Sequence, residues 1–346
     1  MAAFTDLPGW DIDDHAAALA AFKLGCAALR SADWRPACDR ANALGLAGTS
    51  AREIARMFFE SEFAPYAVVN DEGTNTGLVT GYYEPLLRGN RIRRAPFIYP
   101  IHTTPDDLLA IELGSISPET RNQRLRGRVD GRRVVPYYTR AEIAAGRAPM
   151  SGKEIAWVED PIELFFLQVQ GSGRISLPDG TIMRIGFAEQ NGHPYRSIGR
   201  YLIDKGELKL EDASMQGIQA WARANLSRLD ELLNANPRYV FFREIPANEI
   251  PEGLGPRGAL GIPLTPERSV AVDDRFIALG APLYVATSRP NSNASLNRLM
   301  VAHDTGGAIR GAVRVDWFWG FGPAAGREAG RMRQSGRAWV LLPRSR

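Results

Sequence analysis

The sequence contains little that could bind a metal ion or cross a membrane. Only two of its 346 residues are cysteines, and its four histidines are scattered without a paired spacing such as H-x-x-x-H. No apolar run reaches the length of a transmembrane helix. We therefore predict no bound metal, no other cofactor and no membrane-spanning helix.

The charge balance also excludes some classes of protein. The formal net charge is only +3, and nucleic-acid binding usually needs a denser basic patch, so no nucleic-acid partner is predicted. Hydrophobic residues make up 45% of the chain and charged residues 23%, which is typical of a globular protein and excludes global disorder.

The N-terminus and the cysteines bear on the cellular compartment. MAAFTDLPGW has no basic start followed by an apolar core, which predicts either a cytosolic protein or a chain that begins after export processing. Cys26 and Cys38 fall 12 residues apart on two successive predicted helices. Two buried free thiols and a disulfide both fit this spacing, and a disulfide would indicate an oxidising compartment.

The order of periodic segments predicts a mainly β protein that begins with helices. Residues 12–62 carry apolar side chains at helical spacing. PIELFFLQVQGSGRISLPDGTIMRIGF is interpreted as strands joined by turns, with a hairpin at Pro178-Asp179-Gly180. Helices are predicted for SIGRYLIDKGEL and for the segment after it, the latter split between Ala224 and Ser227.

The C-terminal part predicts a closed or nearly closed β-barrel, because short β segments alternate there with glycine and proline. These strands need partners, which YAVVNDEGTNTGLVTGYYEP near residue 80 could supply. We therefore expect a barrel built from both ends of the chain, with the middle part inserted as a second module. The proline-rich RAPFIYPIHTTP is interpreted as a crossing between the two modules.

Aspartates near the C-terminus suggest acid chemistry. Asp304-Thr305-Gly306 has the form of an aspartic protease loop, but that architecture needs two such loops and the sequence has one, so a dimeric protease is a minor alternative. Asp316 precedes Trp317-Phe318-Trp319, and sugars are commonly held by stacking on aromatic rings while a carboxylic acid protonates the leaving oxygen. The other alternative is structural: these aspartates and Asp273 would bond to backbone amides at turns and strand ends.

Several long segments occur in the order found in one family of bacterial cell-wall enzymes. They are TGYYEPLLRG, FFLQVQGSGRISLPDG, NGHPYRSIGRYLIDKGEL and LMVAHDTGGAIRGAVRVDWFWGFGPAAGREAG. On these motifs, which spread over nearly the whole chain, the sequence resembles the membrane-bound lytic murein transglycosylase A family. Its last part resembles the family's 3D module, which is named for three aspartates.

The resemblance implies a double-psi β-barrel domain, a smaller inserted β domain and a groove between them. The barrel domain would comprise residues 1–100 and 241–346, including the N-terminal helices, and the inserted domain residues 101–240. The implied activity is that of a lyase on peptidoglycan. It cleaves the β-1,4 bond between N-acetylmuramic acid and N-acetylglucosamine without water and leaves a 1,6-anhydromuramoyl end.

The resemblance also implies which residues act. Asp316 occupies the position of the catalytic acid and base, Asp304 fits the second aspartate and Asp273 the third. Asp304 is expected to hydrogen-bond within the site or to raise the pKa of Asp316 by its charge. Glu84 is the rival acid. The residues expected to contact sugar are Tyr82, Tyr83, Glu84, Gln168, Gln170, Gly171 and Ser172.

The implied partner is the peptidoglycan glycan strand, with cell-wall synthesis or divisome proteins as further candidates, and we expect a monomer. The implied location is the periplasm, with association to the outer membrane as in the family and with the targeting segment absent from this chain. A non-catalytic glycan-binding protein is the rival hypothesis, because related double-psi barrels bind polysaccharide without cutting it.

Overall fold

The protein folds as two compact units. One consists of Met1–Glu84 and Ile250–Arg346 (unit 1), and the other of Pro85–Glu249 (unit 2). The fold is taken from a computed structural model, which describes residues 1–29, 33–45, 50–120, 125–290 and 292–344.

The helices and strands have the following bounds within the described residues. The α-helices are α1 His15–Cys26, α2 Arg35–Ala43, α3 Ala51–Glu62, α4 Arg140–Ala144, α5 Pro161–Gln170, α6 Ile198–Asp204, α7 Met215–Ala224, α8 Leu229–Asn234 and α9 Gly322–Ala329. The strands are β1 Phe63–Ala67, β2 Gly77–Glu84, β3 Leu86–Asn90, β4 Tyr99–His102, β5 Leu109–Ile111, β6 Leu125–Asp130, β7 Arg133–Val135, β8 Glu154–Val158, β9 Ser172–Ser176, β10 Ile182–Gln190, β11 Val240–Ile245, β12 Ser269–Val272, β13 Pro282–Ser288, β14 Ser295–Thr305, β15 Arg314–Phe321 and β16 Arg333–Pro343.

Six strands of unit 1 close into a barrel in the order β16-β13-β14-β12-β15-β2, and β2 pairs back with β16. The pairs β12–β14 and β15–β2 are parallel, while the remaining neighbours are antiparallel. This arrangement confirms the predicted mainly β class with a double-psi β-barrel. β2 is the partner strand that the sequence pattern assigned to the C-terminal segments.

The N-terminal helices pack on the barrel through aromatic side chains. Phe22 of α1 contacts Phe58, Phe59 and Phe63 in an edge-to-face or tilted geometry, and all four rings belong to the barrel core. Cys26, the last residue of α1, forms a disulfide with Cys38 of α2. The structure therefore decides between the two alternatives for the cysteines in favour of the disulfide.

Unit 2 contains a mixed six-stranded sheet, β11-β10-β9-β3-β8-β4, and a separate antiparallel sheet, β5-β6-β7. The domain boundaries expected near residues 100 and 240 both fall inside this unit. β3 and β4 both pair with β8, which keeps residues 85–100 in the unit. β11 pairs with β10, which keeps residues 241–249 in it. The proline-rich segment is thus part of a sheet rather than a crossing, and its Ile101 is buried.

The segment PIELFFLQVQ is helical, as α5, and its interpretation as a strand was wrong. Asp160 caps this helix by accepting hydrogen bonds from the backbone N–H groups of Ile162 and Glu163. Pro161 stands in its first turn, where a missing N–H costs nothing, and Gly171 ends it at φ +80°.

Periodicity could not identify α5 because this helix is apolar on opposite sides. Leu164 and Leu167 pack on the six-stranded sheet, while Phe165 and Phe166 pack on α6, α7 and α8. A helix buried on both sides shows a continuous apolar run, which is also the pattern of a buried strand. The turn at Pro178-Asp179-Gly180, the helix α6 and the break between α7 and α8 are confirmed.

Candidate active site

Asp304 and Asp316 form a carboxylate pair on the outer surface of the barrel in unit 1. Asp304 on β14 and Asp316 on β15 are both paired with Ala271 of β12, one on each side. Residues paired side by side point to the same face of a sheet, so the two aspartates flank the small Ala271 side chain, about 9–10 Å apart between Cα atoms. Both side chains are half-buried.

Asp316 is held by a threonine on the neighbouring strand β2. Thr80 is its register partner, and the Thr80 Oγ1 hydroxyl donates a hydrogen bond of 2.5 Å to Oδ1 of Asp316. Burial raises the pKa of Asp316, while the Thr80 hydrogen bond and the guanidinium of Arg314 act in the opposite direction. The carboxyl therefore keeps its proton to higher pH than an ordinary aspartate, as a general acid must.

Asp304 is held by three donors. Its Oδ1 accepts hydrogen bonds of 2.9 Å from the backbone N–H groups of Ala259 and Thr305, and its Oδ2 accepts one of 3.1 Å from the Tyr82 hydroxyl. Burial raises the pKa of Asp304 to about 6, the three donors lower it, and the nearby charge of Asp316 raises it further. With three donors favouring its ionised form, Asp304 is better suited to be the carboxylate of the pair and Asp316 the acid.

The sequence left open whether Asp304 hydrogen-bonds within the site or raises the pKa of Asp316 by its charge. In the structure, burial is the main cause of the raised pKa of both carboxyls. Burial first, and then the charges of Asp304 and Asp316, raise the pKa of Tyr82 well above the ordinary value. Its hydroxyl therefore stays protonated and remains a donor.

Tyr82→Phe is expected to raise the pKa of Asp304 above its value of about 6, because a donor that favours the ionised form is lost. One hydrogen bond of about 1 kcal/mol corresponds to a shift of less than about one pKa unit. A ¹³C NMR titration of the Asp304 carboxyl would measure the shift. Tyr66→Phe, at a partly exposed tyrosine of β1, is the matched control. An unchanged or lower pKa would contradict this role of Tyr82.

Asp273, the third aspartate of the motif, has different surroundings. It is buried just after β12, where the Arg275 guanidinium donates to both of its carboxylate oxygens and the Gly311 N–H donates to Oδ2. These partners, with Arg275 foremost, hold the pKa of Asp273 well below its usual range. Asp273 is therefore an ionised residue that ties the turn before β15 to the end of β12, and it is not placed to donate a proton.

The other residues of the TGYYEP motif are not placed like Tyr82. Glu84 is 0% exposed, so it cannot touch a sugar and is not a rival acid in this structure. Tyr83 extends to the opposite side of β2 and packs against α9. There, a Cβ atom on Gly326 would lie only 2.8 Å from the Tyr83 ring.

The QVQGSG motif lies in unit 2, at the junction of α5 and β9. Gln168 is buried, with its Nε2 3.5 Å from the carbonyl oxygen of Val240. Gly171 ends α5, and Ser172 is buried at the start of β9. Gln170 is half-buried and is the glutamine of this motif that is partly accessible.

The hypothesis that Trp317-Phe318-Trp319 stacks on sugar is wrong, because all three rings are buried. Trp317 and Trp319 belong to the barrel core, and Phe318 packs against the Tyr82 ring with centroids 5.2 Å apart. Strand alternation therefore turns Trp317 and Trp319 inwards and leaves Asp316 and Phe318 on the outer face.

Sequence reasoning missed three groups that hold the carboxylate pair: the Thr80 hydroxyl and the N–H groups of Ala259 and Thr305. Thr80 stands two residues before Tyr82 in the same motif, and the period of two along a strand places both on one face of β2. That signal could have identified Thr80. The Ala259 N–H could not have been found in this way, since its place depends on the path of the loop before β12.

Two further findings concern the part of the chain that the structure describes. No group of three or more His, Cys, Asp or Glu side chains there is arranged to hold a metal ion. None of its helices is both long and apolar enough to cross a membrane.

Two family models match the chain across the elements just described. Residues 78–243 match the MltA specific insert domain, and residues 268–342 match the 3D domain. The second match contains all three motif aspartates, and the first begins in β2, which carries Thr80 and Tyr82. The fold and the carboxylate pair thus define a 3D-domain barrel protein with an MltA-type insert.

Known relatives narrow this class to one family. The membrane-bound lytic murein transglycosylase A of Escherichia coli strain K12 is 38% identical over 271 residues, which cover 76% of this chain and 64% of that protein. The chain belongs to the membrane-bound lytic murein transglycosylase A family, as its motifs indicated. The match spans a little under two thirds of the relative's length.

Solved structures of the family share the fold. The crystal structure of MltA from Neisseria gonorrhoeae matches with a TM-score of 0.85 at 42% identity, covering 100% of this chain and 92% of that chain. The structure of E. coli MltA with bound chitohexaose matches with a TM-score of 0.68 at 30% identity, covering 90% of this chain and 83% of that chain.

Proposed function

We propose that this chain is a peptidoglycan lytic transglycosylase. It cleaves the β-1,4 bond between N-acetylmuramic acid and N-acetylglucosamine and leaves a 1,6-anhydromuramoyl end. The observation that carries the proposal is the carboxylate pair, Asp304 and Asp316, half-buried on one face of the barrel with raised pKa values in a member of this family.

Asp316 is the general acid in this proposal. Its raised pKa keeps a proton available for the glycosidic oxygen, which leaves as O4 of N-acetylglucosamine when the C1–O4 bond breaks. The resulting carboxylate then accepts the proton of the C6 hydroxyl of muramic acid as O6 bonds to C1. Asp316 ends protonated, so one carboxyl serves as acid and then as base, and no water is consumed.

Asp304 supplies negative charge in this proposal. The Ala259, Thr305 and Tyr82 donors favour its ionised form. A carboxylate fixed near the reacting sugar stabilises the positive charge that develops on the ring in the transition state.

The substrate assignment is supported by a relative. E. coli MltA has been crystallised with chitohexaose, which is an oligosaccharide. We infer that glycan strands are the partner of this chain, and that Tyr82 and Gln170, which are both partly accessible, contact the sugar. The Cys26–Cys38 disulfide supports a periplasmic location, because disulfides persist in oxidising compartments.

Mass spectrometry of digested peptidoglycan tests the proposed function. Purified peptidoglycan is incubated with the protein, and the released muropeptides are expected to be lighter by one water than the products of hydrolysis. Full-mass reducing ends would instead identify a hydrolase. Binding to peptidoglycan without any cleavage by the folded protein would identify a glycan-binding protein.

Asp304→Asn is expected to lower cleavage roughly 10²-fold and to change the pH profile. The pKa of Asp304 is about 6, so its carboxylate forms as the pH rises through about 6, and wild-type activity should rise there. A separate alkaline limb, on which activity falls with rising pH, is expected from loss of the Asp316 proton, whose pKa burial raises. The asparagine variant should lack the rise near pH 6. Asp274→Asn, at an exposed aspartate, is the control, and an unchanged acidic limb in Asp304→Asn would contradict this role.

A further inference from the structure

Among the described residues, Thr80 is the one that donates a hydrogen bond to the carboxyl group of Asp316. It stands directly opposite Asp316 in the parallel pair β2–β15, and its Oγ1 donates to Oδ1 of Asp316 at 2.5 Å. A strand-to-strand register of this kind leaves little freedom, because backbone hydrogen bonds on both strands fix the two Cα positions. Threonine is also restricted about χ1, so its hydroxyl direction is largely set by the backbone.

The two oxygens of the Asp316 carboxyl differ as a result. Oδ1 accepts the Thr80 hydrogen bond, and no hydrogen bond reaches Oδ2 from the residues that the structure describes. An oxygen that already accepts a short hydrogen bond is a poorer site for the acid proton than one that accepts none. An acid proton on Oδ2 would leave the Thr80 bond to Oδ1 intact, and that bond restricts rotation of the carboxyl.

We propose that Thr80 is the positioning residue of the general acid: its hydroxyl fixes the Asp316 carboxyl so that Oδ2 carries the proton to the glycosidic oxygen. This inference rests on the proposed transglycosylase function. Oδ2 gives its proton to O4 as the C1–O4 bond breaks, and takes the C6 hydroxyl proton as the O6–C1 bond forms. Throughout, the Thr80 proton stays on Oγ1, so Thr80 touches neither sugar and undergoes no chemistry.

The alternation of β2 supports this assignment. Thr80 and Tyr82 lie on the same face of the strand, and Thr80 holds Asp316 while Tyr82 holds Asp304. The hydroxyl-bearing face of one strand thus positions both carboxyls. Tyr83 lies on the opposite face of β2 and packs against α9 instead.

Thr80→Val tests the proposal, because valine has nearly the same shape and lacks the hydroxyl. We expect kcat to fall about 10- to 100-fold with little change in KM, since a charge-assisted hydrogen bond is lost without removing a sugar contact. The loss of a donor also raises the pKa of Asp316, so the alkaline limb of the pH profile should move to higher pH. Thr80→Ser, which keeps the hydroxyl, should restore most of the activity and the original alkaline limb.

Thr287→Val is the matched control. Thr287 lies on β13 of the same barrel and also donates one hydrogen bond, to the carbonyl oxygen of Ser335 at 2.8 Å. This variant should retain wild-type kcat and pH dependence. A wild-type kcat and alkaline limb in Thr80→Val would overturn the proposal, and so would a Thr80→Ser variant that is folded but as slow as Thr80→Val.

A ¹³C NMR titration of the Asp316 carboxyl separates this inference from the proposed function. In Thr80→Val the pKa of Asp316 should be higher than in the wild type, whether or not the wild type forms anhydro products. If the wild type forms none, the proposed function fails while the titration still reports on the Thr80–Asp316 bond. Should Thr80→Val fail to fold, Thr80→Ser and Thr80→Ala are titrated instead. An Asp316 pKa equal in these two variants would overturn the proposal.

Discussion

Asp316→Asn is expected to abolish peptidoglycan cleavage, with a fall in kcat of roughly 10³-fold or more. An amide can neither give a proton to the leaving O4 nor accept one from the C6 hydroxyl, so both steps assigned to Asp316 are lost. Thr80 can still donate to the amide oxygen, which keeps the local geometry. Release of anhydro-muropeptides, followed by mass spectrometry, measures the effect.

The fold of the Asp316→Asn variant should be intact. Replacing a half-buried carboxyl, whose charged form burial disfavours, by a neutral amide removes that penalty, so thermal unfolding should occur at the same or a higher temperature. Asp71→Asn, at an exposed aspartate of the turn before β2, is the matched control and should cleave like the wild type. Substantial cleavage by Asp316→Asn would remove Asp316 as the acid and leave Asp304 as the remaining candidate.

Asp13→Ala is expected to lower the free energy of unfolding by about 3–5 kcal/mol. Asp13 precedes α1, and its carboxylate accepts hydrogen bonds of 2.9 Å from both Nη atoms of Arg268 and one of 2.7 Å from the Leu299 N–H. Asp13 is 6% exposed and Arg268 is 5% exposed. Truncation of Asp13 therefore leaves a buried guanidinium without its counter-ion, and urea unfolding followed by tryptophan fluorescence measures the cost.

Two further variants identify the cause of that loss. Asp204→Ala breaks an exposed pair with Arg200 on α6 and should cost about 0.5 kcal/mol or less. The double variant Asp13→Leu with Arg268→Met should be more stable than Asp13→Ala, because no charge is then left buried and unpaired. If Asp13→Ala costs less than about 1 kcal/mol, the buried ion pair does not anchor the N-terminal segment to the barrel.

Much of the fold could be predicted from local patterns. The N-terminal helices, the turn at Pro178-Asp179-Gly180 and the break before α8 follow from capping residues, turn residues and helical spacing. The closed barrel was predicted as a class, because short β segments punctuated by glycine and proline have few other stable arrangements. The failure at α5 came from burial on both sides, which erases the periodicity that distinguishes a helix from a strand.

Part of the site could be predicted from the sequence. Whether a residue's role could be predicted depended on how far that role is set by the fold. Asp304 and Asp316 were identified by resemblance, whereas their surroundings required the fold. Asp273 belongs to the same motif, but Arg275 and Gly311 hold it in an ion pair at the end of β12. The aromatic run after Asp316 looked like a sugar platform from its composition, and strand alternation instead turned its tryptophans into the core.

By itself the sequence determined the family, the mainly β class, the N-terminal helices and the two aspartates of the carboxylate pair. The family and the two aspartates follow from the resemblance of whole motifs, whereas the class and the helices depend on residue types and spacing, which local rules can interpret. Only the tertiary structure decided that both carboxyls flank Ala271 and that Glu84 is buried. It also decided that Thr80 donates to Asp316 while Tyr82 donates to Asp304. Thr80 and Asp316 are 236 positions apart in the chain, and long-range strand register and burial set their contact and the pKa of Asp316.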